Sequence, residues 1–282
     1  MGIEKKLDIV VTPFVTPFKD GLLDIEGQKS VVRNSRANGI TWEFYLGRNG
    51  EERFLMDDDC RRVIDSVSEM MESGINIMVG VTRPTFRRTA DMLEYALRKG
   101  IKIIVLAPDY QDELPGIEFV RRVMDTTEAN VFVYRIPGSR NIFPGDITVL
   151  AEQYGKRIEG VKDSTGVSND MDELLIVREM FPHLLIFQGS EEAKLKRPQG
   201  KENGLVSGTS NFDQKNVISL MQKIGVGNYG IEPEATVLRG YHAIYSNDGN
   251  DSVPEIKNRL HAAKLIASPE LAPNNPKREY KK

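Results

Sequence analysis

A (β/α)8 barrel (the TIM fold class) with a small C-terminal helical extension is what this sequence predicts, and three observations carry it. Eight short apolar, β-branched runs recur along the first three-quarters of the chain, at 8–14, 40–46, 75–81, 102–107, 131–136, 158–162, 184–188 and 204–207. Most are apolar almost throughout, as strands of a parallel sheet covered on both faces are. Amphipathic stretches with helix start and stop signals separate them, and an alternation of this kind builds a parallel α/β sheet. The main alternative is an open doubly wound sheet. It is weakened because the first run is followed by Thr12-Pro13-Phe14-Val15-Thr16-Pro17-Phe18 and not by a G-x-G-x-x-G turn.

The first helix is expected to start at Asp24 and end near Asn38-Gly39, the second to run from Asp57 to Ser73-Gly74, and the third to start around Arg83-Pro84 and stop at Lys99-Gly100. Others begin at Leu114-Pro115, Phe143-Pro144 and Asn169-Asp170. The eighth strand run is the weakest. After Asn211 the pattern is helical, over 214–224, 232–245 and 253–267, and the tail 273–282 is polar, charged and proline-containing. These features divide the chain into a barrel over 1–225 carrying the active site and C-terminal helices with a polar tail over 226–282.

Composition narrows the function. The 282 residues carry a formal charge of −3 with a pI near 5.8, so no global basic field invites nucleic acid or an anionic membrane. Cys60 is the only cysteine, which excludes an internal disulfide and suits a reducing cytoplasm. His183, His242 and His261 are scattered and share no metal-ligand spacing, so no metal is expected. The start, Met1-Gly2-Ile3-Glu4-Lys5-Lys6, lacks the apolar core of a signal peptide, and no apolar run reaches membrane-spanning length. The expectation is a cytoplasmic protein acting on small molecules.

Chemistry concentrates in Ile158-Glu159-Gly160-Val161-Lys162-Asp163-Ser164-Thr165-Gly166, where an apolar run ends in a lysine. An unpaired buried ammonium is costly, and desolvation favours the neutral amine, a nucleophile suited to a ketone. A lysine that snorkels to solvent from the strand end is the plainer reading. Tyr134, in Val131-Phe132-Val133-Tyr134-Arg135-Ile136-Pro137, changes the odds. It lies 28 residues before Lys162, one strand–helix unit, which puts the two on neighbouring strands at similar height. A phenol there can serve as an acid–base group for the lysine nitrogen; a core tyrosine with a locally satisfied hydroxyl is the alternative.

Three turns complete the candidates. Leu46-Gly47-Arg48-Asn49-Gly50-Glu51 has two glycines that free the backbone to point N–H groups at an anion such as a substrate carboxylate, or it is an ordinary tight turn. Gln188-Gly189-Ser190-Glu191 and Gly204-Leu205-Val206-Ser207-Gly208 offer a glycine and a hydroxyl each, or are strand-to-helix turns with a capping residue. A phosphate site after the last two strands is also open.

Together, in order, these motifs resemble the pyruvate-dependent class I aldolases grouped with dihydrodipicolinate synthase and N-acetylneuraminate lyase. Gly47-Arg48-Asn49-Gly50-Glu51 stands at the family's G-T/S-T-G-E turn and Tyr134-Arg135-Ile136-Pro137 at its Y-N-x-P. Gly160-Val161-Lys162-Asp163-Ser164 stands at G-[IV]-K-[DE]-[ST], and Gly189-Ser190-Glu191 at the turn after strand seven. The resemblance implies that Lys162 forms a Schiff base with a 2-keto acid and that Tyr134 shuttles protons. It gives the carboxylate to Gly47, Arg48, Asn49 and Gly50, and further substrate contacts to Arg135, Gly189, Ser190 and Ser207. Tyr110, in Pro108-Asp109-Tyr110, looks like the family tyrosine lent to a neighbouring subunit's site, in a homotetramer built as a dimer of dimers. No cofactor is implied. Arg48-Asn49 replaces the family's threonine pair and Arg135 its asparagine or histidine; the arginine that the synthases place after Y-N-x-P has only an offset candidate, Arg140. These departures turn the expectation toward 2-keto-3-deoxygluconate aldolases of the archaeal Entner–Doudoroff type, giving pyruvate and glyceraldehyde. Lyase-like and synthase-like relatives, or a non-catalytic keto-acid binder, are the alternatives.

Overall fold

A computed structural model describes residues 7–110, 113–136, 142–247 and 252–277. Among them, eight parallel strands close into a barrel: β1 (Ile9–Pro13), β4 (Trp42–Tyr45), β5 (Asn76–Gly80), β6 (Ile103–Leu106), β7 (Asn130–Arg135), β8 (Ile158–Asp163), β9 (Leu185–Gln188) and β10 (Gly204–Val206), in the order β1-β10-β9-β8-β7-β6-β5-β4. The expected fold class is the observed one. Two short strands, β2 (Phe18–Lys19) and β3 (Leu22–Leu23), form an antiparallel hairpin that the sequence reading did not foresee. Its signal was Asp20-Gly21, whose positive φ values of 53° and 75° make the tight turn.

The described residues within 7–9 and 78–206 form one compact unit, and those within 10–77 and 207–277 form another. In the first, Ile104, Val105, Leu106, Val131, Phe132, Val133, Val161, Ile186 and Phe187 are 1% exposed or less. Strands covered on both faces produce such apolar runs. β7, β8 and β9 lie in register, with Val133 opposite Val161 and Val161 opposite Ile186. Gly160 sets how closely β8 and β9 approach. A methyl group at its Cα would stand 2.2 Å from the Leu185 carbonyl oxygen and 2.5 Å from the Phe132 ring. Backbone cannot yield as a side-chain tip does. Gly160→Ala is therefore expected to destabilise the protein by roughly 1–3 kcal/mol or more. A lowered urea midpoint reads this out, and a wild-type midpoint would refute so close an approach.

The helices of this unit are α3 (Phe86–Arg98), α4 (Gly116–Met124), α5 (Pro144–Tyr154), α6 (Ser168–Met180) and α7 (Glu191–Lys196). The third helix starts later than the expected Arg83-Pro84, because the Thr85 hydroxyl caps it by accepting from the Arg88 N–H at 3.3 Å. Pro84 thus stands before the helix and not in its first turn. A buried ion pair that the sequence reading missed also lies here: Lys194 Nζ donates to Glu202 Oε2 at 2.7 Å and to the Gly200 carbonyl at 2.9 Å.

The second unit holds α1 (Ile25–Ala37), α2 (Asp57–Glu69), α8 (Gln214–Gly225), α9 (Glu232–Asn247) and α10 (Val253–Ala262). Asp24 caps α1 as expected, accepting from Gly27 N–H at 2.9 Å. The carboxylate of Glu43, fully buried on β4, is accounted for locally. Arg36 grips both its oxygens at 2.7 and 3.0 Å, and the Tyr45 hydroxyl donates to it at 2.7 Å. Burial, with Glu43 beside it, pushes the Tyr45 phenol well above its usual range. Helix α10 stops at Ala262, short of the expected 267, where Lys264 takes a positive φ of 58° and Leu265 N–H turns back to the Leu260 carbonyl at 2.9 Å. No described helix is long and apolar enough to cross a membrane.

Candidate active site

In the first unit the parallel register of β7 and β8 puts Tyr134 directly opposite Lys162. Both are buried, at 3% and 4% exposure, and Lys162 Nζ stands 3.6 Å from the centre of the Tyr134 ring. A cation over a phenol face gains about 0.5–2 kcal/mol, more when desolvated. The ring therefore offsets part of the cost of holding an ammonium at the strand end. The side chain does not snorkel; it is held against its neighbour.

One residue further along the same strands a second pair forms. Arg135 Nη1 donates to Asp163 Oδ1 at 2.9 Å, with both side chains nearly inaccessible. Arg135 Nη2 also donates to Asp170 on α6, and its Nε donates to the Ile142 carbonyl at 2.6 Å. Burial pushes the Asp163 carboxyl up, while the Arg135 guanidinium and the Thr165 hydroxyl hold it back. Protein acceptors engage all three guanidinium nitrogens of Arg135, the residue expected to touch substrate, and alternation along β7 sends its side chain to the face opposite Tyr134. Pro137 and Arg140 lie outside the described residues.

Gly189 closes the turn after β9. Its N–H donates to the Asp163 carbonyl at 2.6 Å, and a methyl group there would meet Ser164 Oγ at 2.0 Å. Ser190 caps α7, its hydroxyl accepting from Ala193 N–H at 3.2 Å, which is the plainer of the two readings open for it. Tyr110 ends a short turn after β6, 8% exposed, with its N–H on the Ala107 carbonyl at 2.9 Å.

The second unit holds the Gly47–Gly50 turn. Gly47 abuts the Phe44 ring, where a methyl group would come within 2.5 Å. The Thr16 hydroxyl donates to the Gly50 carbonyl at 2.7 Å. Asn49 is half-buried beside Gly208, whose added methyl would stand 2.9 Å from Asn49 Nδ2, whereas Arg48 is exposed. Glu51, with a positive φ of 55°, closes the turn. Its buried carboxylate accepts from Lys257 Nζ on α10, from Ala272 N–H at 2.9 Å and from Asn275 Nδ2 at 2.8 Å. Ser207 is fully buried in a hydroxyl cluster that the sequence reading missed. Its carbonyl accepts from Ser210 Oγ at 2.6 Å, and Ser210 Oγ lies 2.8 Å from Thr12 Oγ1. Among the described residues, no group of three or more His, Cys, Asp or Glu side chains is disposed to hold a metal ion.

The strand order defines a (β/α)8-barrel protein, and the last residues of β7 and β8 carry its buried tyrosine–lysine pair. The model of the dihydrodipicolinate synthetase family matches residues 6–279, and the chain belongs to that family, within the superfamily of pyruvate-dependent lyases. It is 23% identical over 225 residues to the 4-hydroxy-tetrahydrodipicolinate synthase of Thermotoga sp. (strain RQ2), covering 78% of this chain and 76% of that one. In fold it is similar to the dihydrodipicolinate synthase of Bacteroides thetaiotaomicron, with a TM-score of 0.86, 21% identity and coverage of 95% and 93%. It is also similar to YagE, a prophage protein of the dihydrodipicolinic acid synthase family from E. coli K12 in complex with pyruvate, with a TM-score of 0.85, 18% identity and coverage of 97% and 95%. All three carry the names of the synthase or its family; the narrower likeness to archaeal aldolases finds no echo among them.

Proposed function

We propose that this protein is a Schiff-base aldolase that cleaves a 2-keto-3-deoxy sugar acid, 2-keto-3-deoxygluconate in the first instance, to pyruvate and an aldehyde. The observation that carries the reading is Lys162 Nζ against the Tyr134 ring, both buried at the ends of adjacent strands. Membership of the family and the likeness to a pyruvate-bound family member support a keto-acid substrate.

The neutral amine of Lys162 attacks C2 of the keto acid, and loss of water leaves an iminium. The Tyr134 phenol relays the C4 hydroxyl proton, accepting it as it passes its own to the substrate carboxylate. The C4–O bond becomes the aldehyde carbonyl, the C3–C4 bond breaks, and its electron pair moves into a C2–C3 enamine with the iminium as sink. A proton returned to C3 and addition of water at C2 release pyruvate and the free amine. Apo geometry tightens when substrate binds, so a phenol whose ring now faces the amine can still relay the proton. The Gly47–Gly50 turn is assigned the carboxylate by its likeness to the family, and Tyr110 the proton relay of a neighbouring subunit in a homotetramer.

The relatives' names favour a second reading, synthesis of 4-hydroxy-tetrahydrodipicolinate. Against it stands the sequence after Tyr134, where the arginine that the synthases place beyond Y-N-x-P has only an offset candidate, Arg140. A panel measuring kcat/KM separates the two: 2-keto-3-deoxygluconate, its 6-phosphate and N-acetylneuraminate for cleavage, pyruvate with aspartate semialdehyde for synthesis. Cleavage of the deoxy sugar acids is expected to lead. Turnover only with aspartate semialdehyde would overturn the aldolase reading. Arg48→Ala should shift the preference between the free acid and its phosphate by about ten- to a hundredfold, the cost of one hydrogen bond to a charged group. Unchanged ratios would place Arg48 outside substrate recognition.

A further inference from the structure

The Arg135 side chain gathers three separate segments: β8 through Asp163, α6 through Asp170, and the chain at Ile142. We infer that Arg135 and Asp163 form a clamp behind the Tyr134–Lys162 pair and that Arg135 is a positioning residue for Schiff-base formation; the inference rests on the function proposed above.

Tyr134 opposes Lys162 and Arg135 opposes Asp163, so consecutive residues of the same two strands form the two pairs. Successive side chains alternate between faces, which sets the ion pair on the far side of the sheet from the amine. Asp163 is held from both ends. Its Oδ1 accepts from Arg135 at 2.9 Å and from Thr165 Oγ1 at 3.0 Å, and its carbonyl accepts from Gly189 N–H at 2.6 Å. The Arg135 carbonyl in turn accepts from Ser164 N–H at 2.9 Å. A slip or twist of β8 against β7 at this level breaks several of these bonds and moves Lys162 relative to the phenol. Stability alone does not explain the charges, because well-packed neutral residues in place of a buried ion pair are often as stable or more so. A geometric role does, since reacting groups displaced by about 1 Å lose about a hundredfold in rate.

The test uses full-length wild type, Arg135→Gln, Asp163→Asn with Arg135→Gln, and Arg135→Lys. The first readout is the rate of the borohydride-trapped pyruvate adduct per folded chain, as a function of pyruvate concentration. The second is the rate of acetic anhydride labelling at Lys162 by mass spectrometry, which needs no keto acid. Arg135→Gln is expected to slow the limiting trapping rate by about ten- to a hundredfold while half-saturating pyruvate stays within about twofold. It should also shift the acetylation rate away from wild type, because a loosened β7–β8 register moves the Lys162 amine relative to the Tyr134 ring that covers it. The double variant, whose two amides can bond across the same gap, should bring most of both rates back toward wild type. Wild-type rates in folded Arg135→Gln, or a folded double variant no nearer to wild type than the single one, would overturn the clamp. If Arg135→Gln does not fold, Arg135→Lys stands in, expected to be slowed because it loses the planar fork, and wild-type rates there overturn the inference equally. If wild type traps no pyruvate, the proposed function fails, and acetylation still decides the clamp.

Discussion

Wild-type protein incubated with pyruvate and borohydride is expected to gain one covalent adduct at Lys162, and Lys162→Ala to gain none and to lose turnover to background. The reason lies in the amine's surroundings. Lys162 is 4% exposed at the end of β8, with the Tyr134 ring 3.6 Å from its nitrogen. An iminium formed there keeps a positive charge where the ammonium stood, so the ring face that supports the cation before reaction supports it afterwards. Exposed lysines such as Lys196 have no such environment. Peptide mapping of the reduced adduct reads the site directly. Equal labelling of Lys162→Ala would move the nucleophile to another residue and remove the basis of the aldolase assignment.

Tyr134→Phe is expected to retain the fold and the adduct but to lower turnover by roughly 10²–10⁴-fold, the loss typical of a missing general acid–base group. The substitution keeps the ring against which Lys162 packs and removes only the hydroxyl, so Schiff-base capture and proton relay are separated in one variant. Single-turnover cleavage with the adduct measured in parallel provides the check. Near-native cleavage would assign the proton transfer to another group or to water. A loss of adduct in step with turnover would show that the phenol acts before carbon–carbon cleavage.

The Tyr134–Lys162 pair was legible in the sequence because parallel strands joined by a helix repeat with a nearly constant period. A separation of 28 residues therefore reads as an opposed position on adjacent strands, as the register of β7 and β8 has it. The eight apolar runs were legible for a related reason: both faces of each strand are covered, so no alternation hides them. Helix boundaries were less so, since one hydroxyl at Thr85 moves the start of α3 past a proline that looked like its first turn. Partners of buried charges were not legible at all. Lys257 and Glu51 are 206 positions apart, and nothing local marks Glu202 as the counter-charge of Lys194. The acceptors of Arg135 were hidden for the same reason, being fixed by register and by the docking of α6.

The Glu51 carboxylate also limits how members of this family can be recombined. It takes hydrogen bonds from Lys257, Ala272 and Asn275, so residues at both ends of the primary sequence share one anion. A chimera with a crossover anywhere between Glu51 and Lys257 inherits the carboxylate from one parent and its donors from the other. If the donor parent lacks Lys257 or its equivalent, Glu51 is left buried without its cation, which costs about 3–5 kcal/mol for a broken buried pair. Viable exchanges of the Gly47–Gly50 turn between relatives must therefore carry the segment 257–275 with them, as a single heritable block split across the gene.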